Sequence, residues 1–318
     1  MVLTHTAQRE GRLSSFLLGE LHMSAGLMNK LKWGDSIQVN GIPQRTNHPV
    51  KAGDIITVRL EEEAPEYPAE DGPLTILYED DYLLVVDKPA GMLIHPSRSK
   101  NDGTLANFVY GYYQKTGQKS AFHPMTRLDR DTYGIVLLAK NAHVHNLLQG
   151  VEIRKTYHAL TLGWGGEDAG FIDAPIARRP LPSLLRYVCP EGKPSLTEYR
   201  VLEKHLSLRT SPQTGVAIPQ NTVSLRTSPQ TGVAIPRSIC KLSLRPITGR
   251  THQLRLHCAH MGHPILGDPQ YGNKQSIALS RELGISSQKL CAKRLEFAHP
   301  MTGEKLYLES KLDADIES

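Results

Sequence analysis

The sequence predicts an α+β fold with a mixed, largely antiparallel sheet, preceded by a small αα-β unit. Three observations carry this. Beyond residue 74, short β-rich runs outnumber helical ones and do not alternate with them one for one, as a parallel βαβ array would require. No GxGxxG opens a helix after a strand and no GxxxxGK[ST] loop is present, so doubly wound dinucleotide and P-loop folds are disfavoured. An acidic, proline-bearing stretch at 61–73 divides this body from an N-terminal segment with its own hydrophobic pattern.

In the N-terminal segment, Leu13, Phe16, Leu17 and Leu21 fall at helical spacing, and Leu27, Met28 and Leu31 form a second short run. The alternation at 37–39, the Asn40-Gly41 turn and the run at 54–58 add strands, which makes residues 1–60 a compact appended domain. Residues 61–73, EEEAPEYPAEDGP, hold six acids, three prolines and no base. Such a segment cannot bury a core and is expected to be a linker.

Residues 74–318 form the main domain. Strands are expected at 74–78, 82–86, 134–139, 156–162, 196–202, 240–245 and 305–308, and helices at 104–113, 142–150 and 251–261. In the last helix Thr251 is the expected N-cap and Gly262 the stop. There Leu254, Cys258 and Met261 line up as an apolar stripe, while Arg255 stands beside the small residues Ala259 and Gly262. The string SLRTSPQTGVAIP occurs at 207–219 and again at 224–236. Two copies carrying Pro and Gly do not build a solenoid, so 207–236 reads as a duplicated loop insertion.

The net charge of +5 permits a nucleic-acid partner without demanding one, but its distribution says more. Residues 1–60 carry +3 and residues 61–73 carry −6, which leaves +8 on the main domain. Four well-separated cysteines with no CxxC spacing suggest neither a disulfide framework nor a zinc site. Without a secretion signal or an unbroken apolar run of membrane-span length, a cytoplasmic protein with no membrane partner is expected.

The densest polar stretch, residues 123–134, runs straight into the apolar strand at 135–139 and so sits at a sheet edge, where functional loops are commonly mounted. Its Asp129 and Asp131 read either as a glycosidase-like carboxylate pair or as turn residues capping backbone amides. In the second stretch, 246–264, Arg255 suits a carboxylate or phosphate partner, or else lies as a solvated helix arginine. His252, His257, His260 and His263 raise a metal reading. It is disfavoured, since there is no HExxH and no acid between Arg255 and Asp268. Tyr157, in the strand at 156–162, is either packing or a pocket phenol.

Residues 127–132, Arg-Leu-Asp-Arg-Asp-Thr, resemble the RLDxxT signature of the RluA-type RNA pseudouridine synthases. Further blocks follow in that family's order: Asp87-Lys-Pro-Ala-Gly91, Lys155-Thr-Tyr157, Gly249-Arg-Thr-His-Gln-Leu-Arg255, Gly262 through Asp268, and Leu295-Glu-Phe297 through Glu304. The resemblance implies an isomerase of uridine in RNA that uses no cofactor and no metal. It implies Asp129 as the essential carboxylate, either nucleophile or base, with Arg255 as its ionic partner and Tyr157 against the base. Leu256 then lines the pocket, and Arg127 and Thr132 shape the loop. The implied partner is RNA, with ribosomal RNA favoured and transfer RNA left open, bound by a monomer.

Residues 1–60 are similar to the small RNA-binding domain named after ribosomal protein S-four, through Gly11-Arg-Leu13, Asn29-Lys-Leu-Lys32, Val39-Asn-Gly41 and Val50-Lys-Ala-Gly-Asp54. Arg12, Lys30, Lys32, Lys88 and Arg250 are the expected RNA contacts. Two departures stand out: Ser24-Ala25 where such domains often carry Ser-Arg, and Tyr133 where the synthases usually carry Ser. A second reading is an inactive RNA-binding or ribosome-assembly factor of the same fold.

Overall fold

A ten-stranded mixed sheet forms the centre of the main domain. The computed structural model describes residues 1–97, 100–180, 183, 185–206 and 238–316, so the duplicated string falls outside the described residues. The strands on its two sides, Leu196–Leu206 and Ser238–Pro246, pair antiparallel up to Leu206 and Ser238.

Along the sheet the order is Ala169–Asp173, Leu196–Leu206, Ser238–Pro246, Arg154–Leu162, Leu290–Ala298, Tyr133–Ala139, Leu83–Lys88 and Thr75–Glu79. Lys305–Glu309 pairs with Leu290–Ala298, and His123–Pro124 with Tyr133–Ala139. Each expected strand is present. Absent from the sequence reading is Leu290–Ala298, which joins the two halves, and the reason lies in its residues. Lys293 and Arg294 interrupt the apolar run and blur the alternation that would mark a strand. Strand Ala169–Asp173 and helix Lys274–Glu282 were likewise not foreseen.

The halves meet through a short parallel pairing, Tyr133 with Cys291 and Gly134 with Ala292. Gly134 has φ +103°, and a Cβ there would collide with the Ala292 carbonyl, so only glycine lets the two strands approach so closely. Ala292 also pairs with Tyr157, where a bulge shifts the register between Thr156 and Tyr157. Gly134, Ala292 and Tyr157 therefore stand in one row across three strands. Tyr157 thus lies about 10 Å, two strand spacings, from Gly134.

Alternation sends the strand residues into layers on opposite faces. Leu84, Val86, Val136 and Leu138 pack with Leu105 and Val109 of helix Leu105–Lys115, whereas Leu83, Val85, Ile135 and Leu137 pack with Val144 and Leu148 of helix Ala142–Gln149. In the other half Leu242 and Leu244 meet Leu254 and Cys258 of helix Gln253–His260, and Leu160 and Leu162 meet Leu279 of helix Lys274–Glu282. Both faces of the sheet are covered, which explains the continuous apolar run at Tyr133–Ala139.

Helix Gln253–His260 corrects the expected cap. His252, not Thr251, is the N-cap; it sits in the left-handed region at φ +58° and makes no side-chain cap. Gln253 does the tying instead, since its Oε1 accepts from the Arg250 amide and the Thr248 hydroxyl while its Nε2 donates to the Leu196 carbonyl and the Thr197 hydroxyl. Gly262, φ +81°, ends the helix as expected.

The N-terminal unit has its own core of Leu13, Phe16, Leu17, Ile37, Ile56 and Val58 under a sheet ordered Val2–Thr6, Ile55–Arg59, Ile37–Val39, Ile42–Pro43. Its first helix is not a regular α-helix. Leu13–Ser15 widens into a π-turn, Phe16–Glu20, in which the Leu21 amide reaches back to the Phe16 carbonyl. Phe16 and Leu17, adjacent on this turn, are both fully buried.

Residues 61–73 lie as a strap along helix Leu105–Lys115 instead of hanging as a free linker. The Glu70 amide donates to the Asn107 carbonyl, Asn107 Nδ2 to the Pro68 carbonyl, and the Gly103 amide to the Glu70 carboxylate. Glu62 accepts from the Ala142 amide. A segment without a core of its own is ordered here through backbone and carboxylate hydrogen bonds, which apolar patterning does not register.

Candidate active site

The 127–132 loop is fastened on three sides. The Thr132 amide closes a turn onto the Asp129 carbonyl at 3.2 Å, and the Thr132 hydroxyl, buried, accepts from Gln288 Nε2 at 2.5 Å. Lys88 is 0% exposed and donates its three ammonium protons to the carbonyls of Pro89, Met92 and Arg130, each at 2.9 Å. Leu128 is buried in the apolar layer beneath. These anchors leave the half-buried Asp129 side chain presented at the joint of the two half-sheets.

Lys88 is therefore not an RNA contact, contrary to the sequence expectation. A lysine in a strand whose six residues are all buried has no route to solvent, and its ammonium holds the 127–132 loop from below. Burial pushes its pKa down to about 8, against the opposing pull of Asp131 and Asp129.

Arg255 reaches Asp129 from helix Gln253–His260. Its Nη1 donates to Asp129 Oδ2 at 3.0 Å, while Nε and Nη2 form a fork onto the buried Asp268 at 2.7 and 2.8 Å and Nη2 also reaches Gln270 Oε1 at 2.9 Å. Burial opposes the guanidinium charge, but the Asp268 and Asp129 carboxylates outweigh it and raise the pKa, so Arg255 is a fixed cation. The small neighbours Ala259 and Gly262 are not what it serves; a pair of carboxylates is.

Asp131 turns away to its neighbour Arg130, whose Nε and Nη2 donate to its two oxygens at 3.0 Å. It does not share Arg255, and the carboxylate-pair reading of Asp129 and Asp131 loses its second acid. Tyr157 packs against both apolar layers, the one holding Leu128 and the one holding Leu254. Its phenol pKa is pushed up by burial and then by the Asp129 charge, so it stays protonated and near that carboxylate.

Three of the four histidines bond to separate partners. His257 bonds the Ala174 carbonyl through Nε2, and His263 bonds the Leu162 carbonyl through Nδ1 while its Nε2 accepts from the Gly165 amide. His252 pairs Nδ1 with the Tyr271 hydroxyl at 2.7 Å, with Nε2 3.8 Å from Asp129 Oδ2. Leu256 is buried on the same helix; Arg127 is exposed.

Among the expected RNA contacts, Arg12 and Arg250 are exposed, the latter with Nε on the Pro194 carbonyl. Lys30 is exposed and bonded to Glu63 of the strap at 2.8 Å. Lys32 stands over the ring of Trp33, which is 72% exposed and also carries the Arg45 guanidinium at 4.6 Å from its centroid. Sequence reasoning passed over Asp268, Gln270, Tyr271 and Trp33. Asp268 had left a signal, as the first acid after an arginine in need of one.

Comparison with known proteins gives the family. Residues 82–260 match the family model described as RNA pseudouridylate synthase. The chain is 32% identical to the uncharacterized RNA pseudouridine synthase YjbO of Bacillus subtilis, with 94% of each covered. It is also 32% identical to ribosomal large subunit pseudouridine synthase D of Pseudomonas aeruginosa, with 97% of this chain and 90% of that protein covered. Among solved structures, human RNA pseudouridylate synthase domain containing 1 superposes with a TM-score of 0.55 at 26% identity, covering 76% of this chain and 84% of that one.

Proposed function

The chain belongs to the RNA pseudouridylate synthase family, and from that premise we propose that it isomerises uridine in ribosomal RNA with Asp129 as the essential carboxylate. The observation that carries the residue assignment is the Arg255 bridge. Arg255 Nη1, part of a buried and fixed cation, donates to Asp129 Oδ2 at 3.0 Å, a charge-assisted bond that holds in place the carboxylate that both routes to pseudouridine use.

In one route the Asp129 carboxylate bonds to C1′ as the N1–C1′ bond breaks and its electron pair leaves with uracil. In the other it takes a ribose proton as the same bond breaks. The freed uracil turns and C5 bonds to C1′, as the Asp129–C1′ bond breaks in the first route or as the ribose proton returns from Asp129 to the sugar in the second; C5 then gives up its proton, and N1 ends carrying one. Atoms balance without water or an external energy source. Tyr157 offers a flat face for the base and a protonated phenol close to it, and Leu256 adds an apolar wall. Arg127 and Thr132 shape the loop; Thr132 does so through Gln288.

A stacked uridine must first be flipped out, at a cost of a few kcal/mol. Exposed Arg12 and Arg250 and the half-buried Lys32 supply phosphate attraction, with Lys30 joining when it leaves Glu63. The N-terminal unit, residues 1–60, serves as a separate RNA-holding domain in this reading, and the strap sets its distance from the catalytic loop. Ribosomal RNA is favoured over transfer RNA by the name of the Pseudomonas relative. All four cysteines are free thiols, which suits a reducing cytoplasm, and we take the monomer as the acting form.

The test is to incubate the purified full chain with ribosomal RNA and transfer RNA transcripts and map new pseudouridines by carbodiimide-dependent primer extension. Product in ribosomal RNA from the wild type, and none from Asp129→Asn with RNA binding retained, is expected. Normal product from Asp129→Asn overturns the assignment, and binding without product overturns the enzyme reading for these RNAs.

A further inference from the structure

One side of Asp129 is crowded and the other is open. Arg255 Nη1, at 3.0 Å, and His252 Nε2, at 3.8 Å, both face Oδ2. Among the described residues no side chain donates to Oδ1. The two oxygens of the essential carboxylate are therefore not equivalent before any RNA arrives.

His252 is held in that place by an unusual amount of structure. Its backbone is left-handed, φ +58°, a conformation that costs a β-carbon residue of order 1 kcal/mol or more and persists only where the surroundings impose it. Its Nδ1 is 2.7 Å from the Tyr271 hydroxyl, which also accepts from the Arg186 amide at 3.2 Å. Tyr271 is in turn fixed by its own amide donating to Asp268 Oδ1 at 3.1 Å and by the Arg255 guanidinium 5.0 Å from its ring centroid. A closed circuit results, running from Asp129 to Arg255, Asp268, Tyr271, His252 and back to Asp129.

We propose that His252, oriented by Tyr271, is a positioning residue that donates through Nε2–H to Asp129 Oδ2, so that Oδ1 is the oxygen turned toward the nucleotide. A neutral imidazole carries one N–H. If that proton sat on Nδ1, the Nε2 lone pair would face a carboxylate oxygen, two acceptors against each other. With the proton on Nε2, the Tyr271 hydroxyl donates to Nδ1 and every group in the circuit is matched. Burial keeps the ring neutral; of the charges facing it, Arg255 and Arg186 reinforce this, while Asp129 and Asp268 pull the other way. At 3.8 Å the contact is longer than a hydrogen bond, as such contacts often are before substrate closes the site. The inference rests on the pseudouridine reading for its kinetic consequence but not for the tautomer.

Two measurements test it on the full chain. Nitrogen-15 NMR of the imidazole at pH 7 is expected to show the Nε2–H tautomer, and an Nδ1–H tautomer or an imidazolium overturns the proposal whatever the activity. In kinetics, His252→Asn keeps a residue tolerant of the left-handed backbone but shortens the reach. It is expected to lose up to about 10²-fold in kcat, the scale set by a small misplacement of a reacting group, with KM for RNA within about twofold. His252→Gln, whose amide nitrogen extends to the Nε2 position, is expected to recover most of the rate. Tyr271→Phe is expected to fall between, with the double variant His252→Asn/Tyr271→Phe no slower than His252→Asn alone. A kcat for His252→Asn within about twofold of wild type overturns the positioning role. Absence of product from the wild type would instead count against the activity reading, and the tautomer would still decide the pairing.

Discussion

Arg255 and Asp129, 126 residues apart in the chain, meet at 3.0 Å, and the guanidinium makes that contact with the one edge not already forked onto Asp268. The division of labour matters. Asp268 and Gln270 fix the plane of the arginine, so the remaining nitrogen is aimed before Asp129 is considered at all.

This geometry separates two substitutions at Arg255. Arg255→Lys keeps a positive charge but can offer only a point donor where a fork is required, so it is expected to reduce kcat by about 10²-fold or more while RNA affinity changes little. Arg255→Ala leaves the buried Asp268 without its cation and is expected to cost about 3–5 kcal/mol of stability as well. Urea unfolding of both variants beside single-turnover rates checks the pair. A lysine variant with wild-type turnover would refute the aiming role.

The meeting itself was legible in the sequence only through the family resemblance. The residues Asp129, Tyr157 and Arg255 could be named because each lies in a block resembling a known family, but nothing in periodicity brings residues so distant in the chain together. The strands were readable where branched and aliphatic residues run unbroken, as at Tyr133–Ala139, and lost where Lys293 and Arg294 enter Leu290–Ala298. Lys88 misled for a related reason: a basic residue in sequence looks like a surface charge, and only the fold shows its ammonium satisfied by three carbonyls. The acidic segment reads only as a linker because the hydrogen bonds that Glu62 and Glu70 accept from backbone amides leave no compositional trace.

Lys88 gives a prediction in pH. Its folded pKa is pushed down to about 8 by burial, while the unfolded chain holds that proton to about 10.4. Below about 8 both states are protonated and the burial cost is present in full. Between about 8 and 10.4 the unfolded state binds more protons, so this group makes stability rise with pH. Comparing wild type with Lys88→Met by urea unfolding at pH 7.5 and pH 10 isolates it. The wild type is expected to gain on the variant by at most about 3 kcal/mol across that range. A difference independent of pH would show that the ammonium is not held as described.

Trp33 gives a prediction about RNA. An indole 72% exposed, with Arg45 at 4.6 Å and Lys32 at 5.4 Å from its centroid, is an apolar face kept in water between two cations, and no core requires it there. The Arg45 side chain is further held by donating to the Lys32 carbonyl at 2.9 Å, so the cluster is ordered in advance. A base stacked on such a face contributes about 1–3 kcal/mol. Trp33→Ala is therefore expected to raise KM for the RNA substrate by about 5- to 150-fold with kcat unchanged. Because the side chain is exposed, folding stability should stay within about 0.5 kcal/mol. The cations argue for a companion measurement. Arg45→Gln should flatten the salt dependence of RNA binding by about one phosphate contact, whereas Trp33→Ala should leave that slope nearly as it is. A Trp33→Ala variant with unaltered KM would remove the N-terminal unit's indole from the RNA path, leaving Asp129 and its partners untouched.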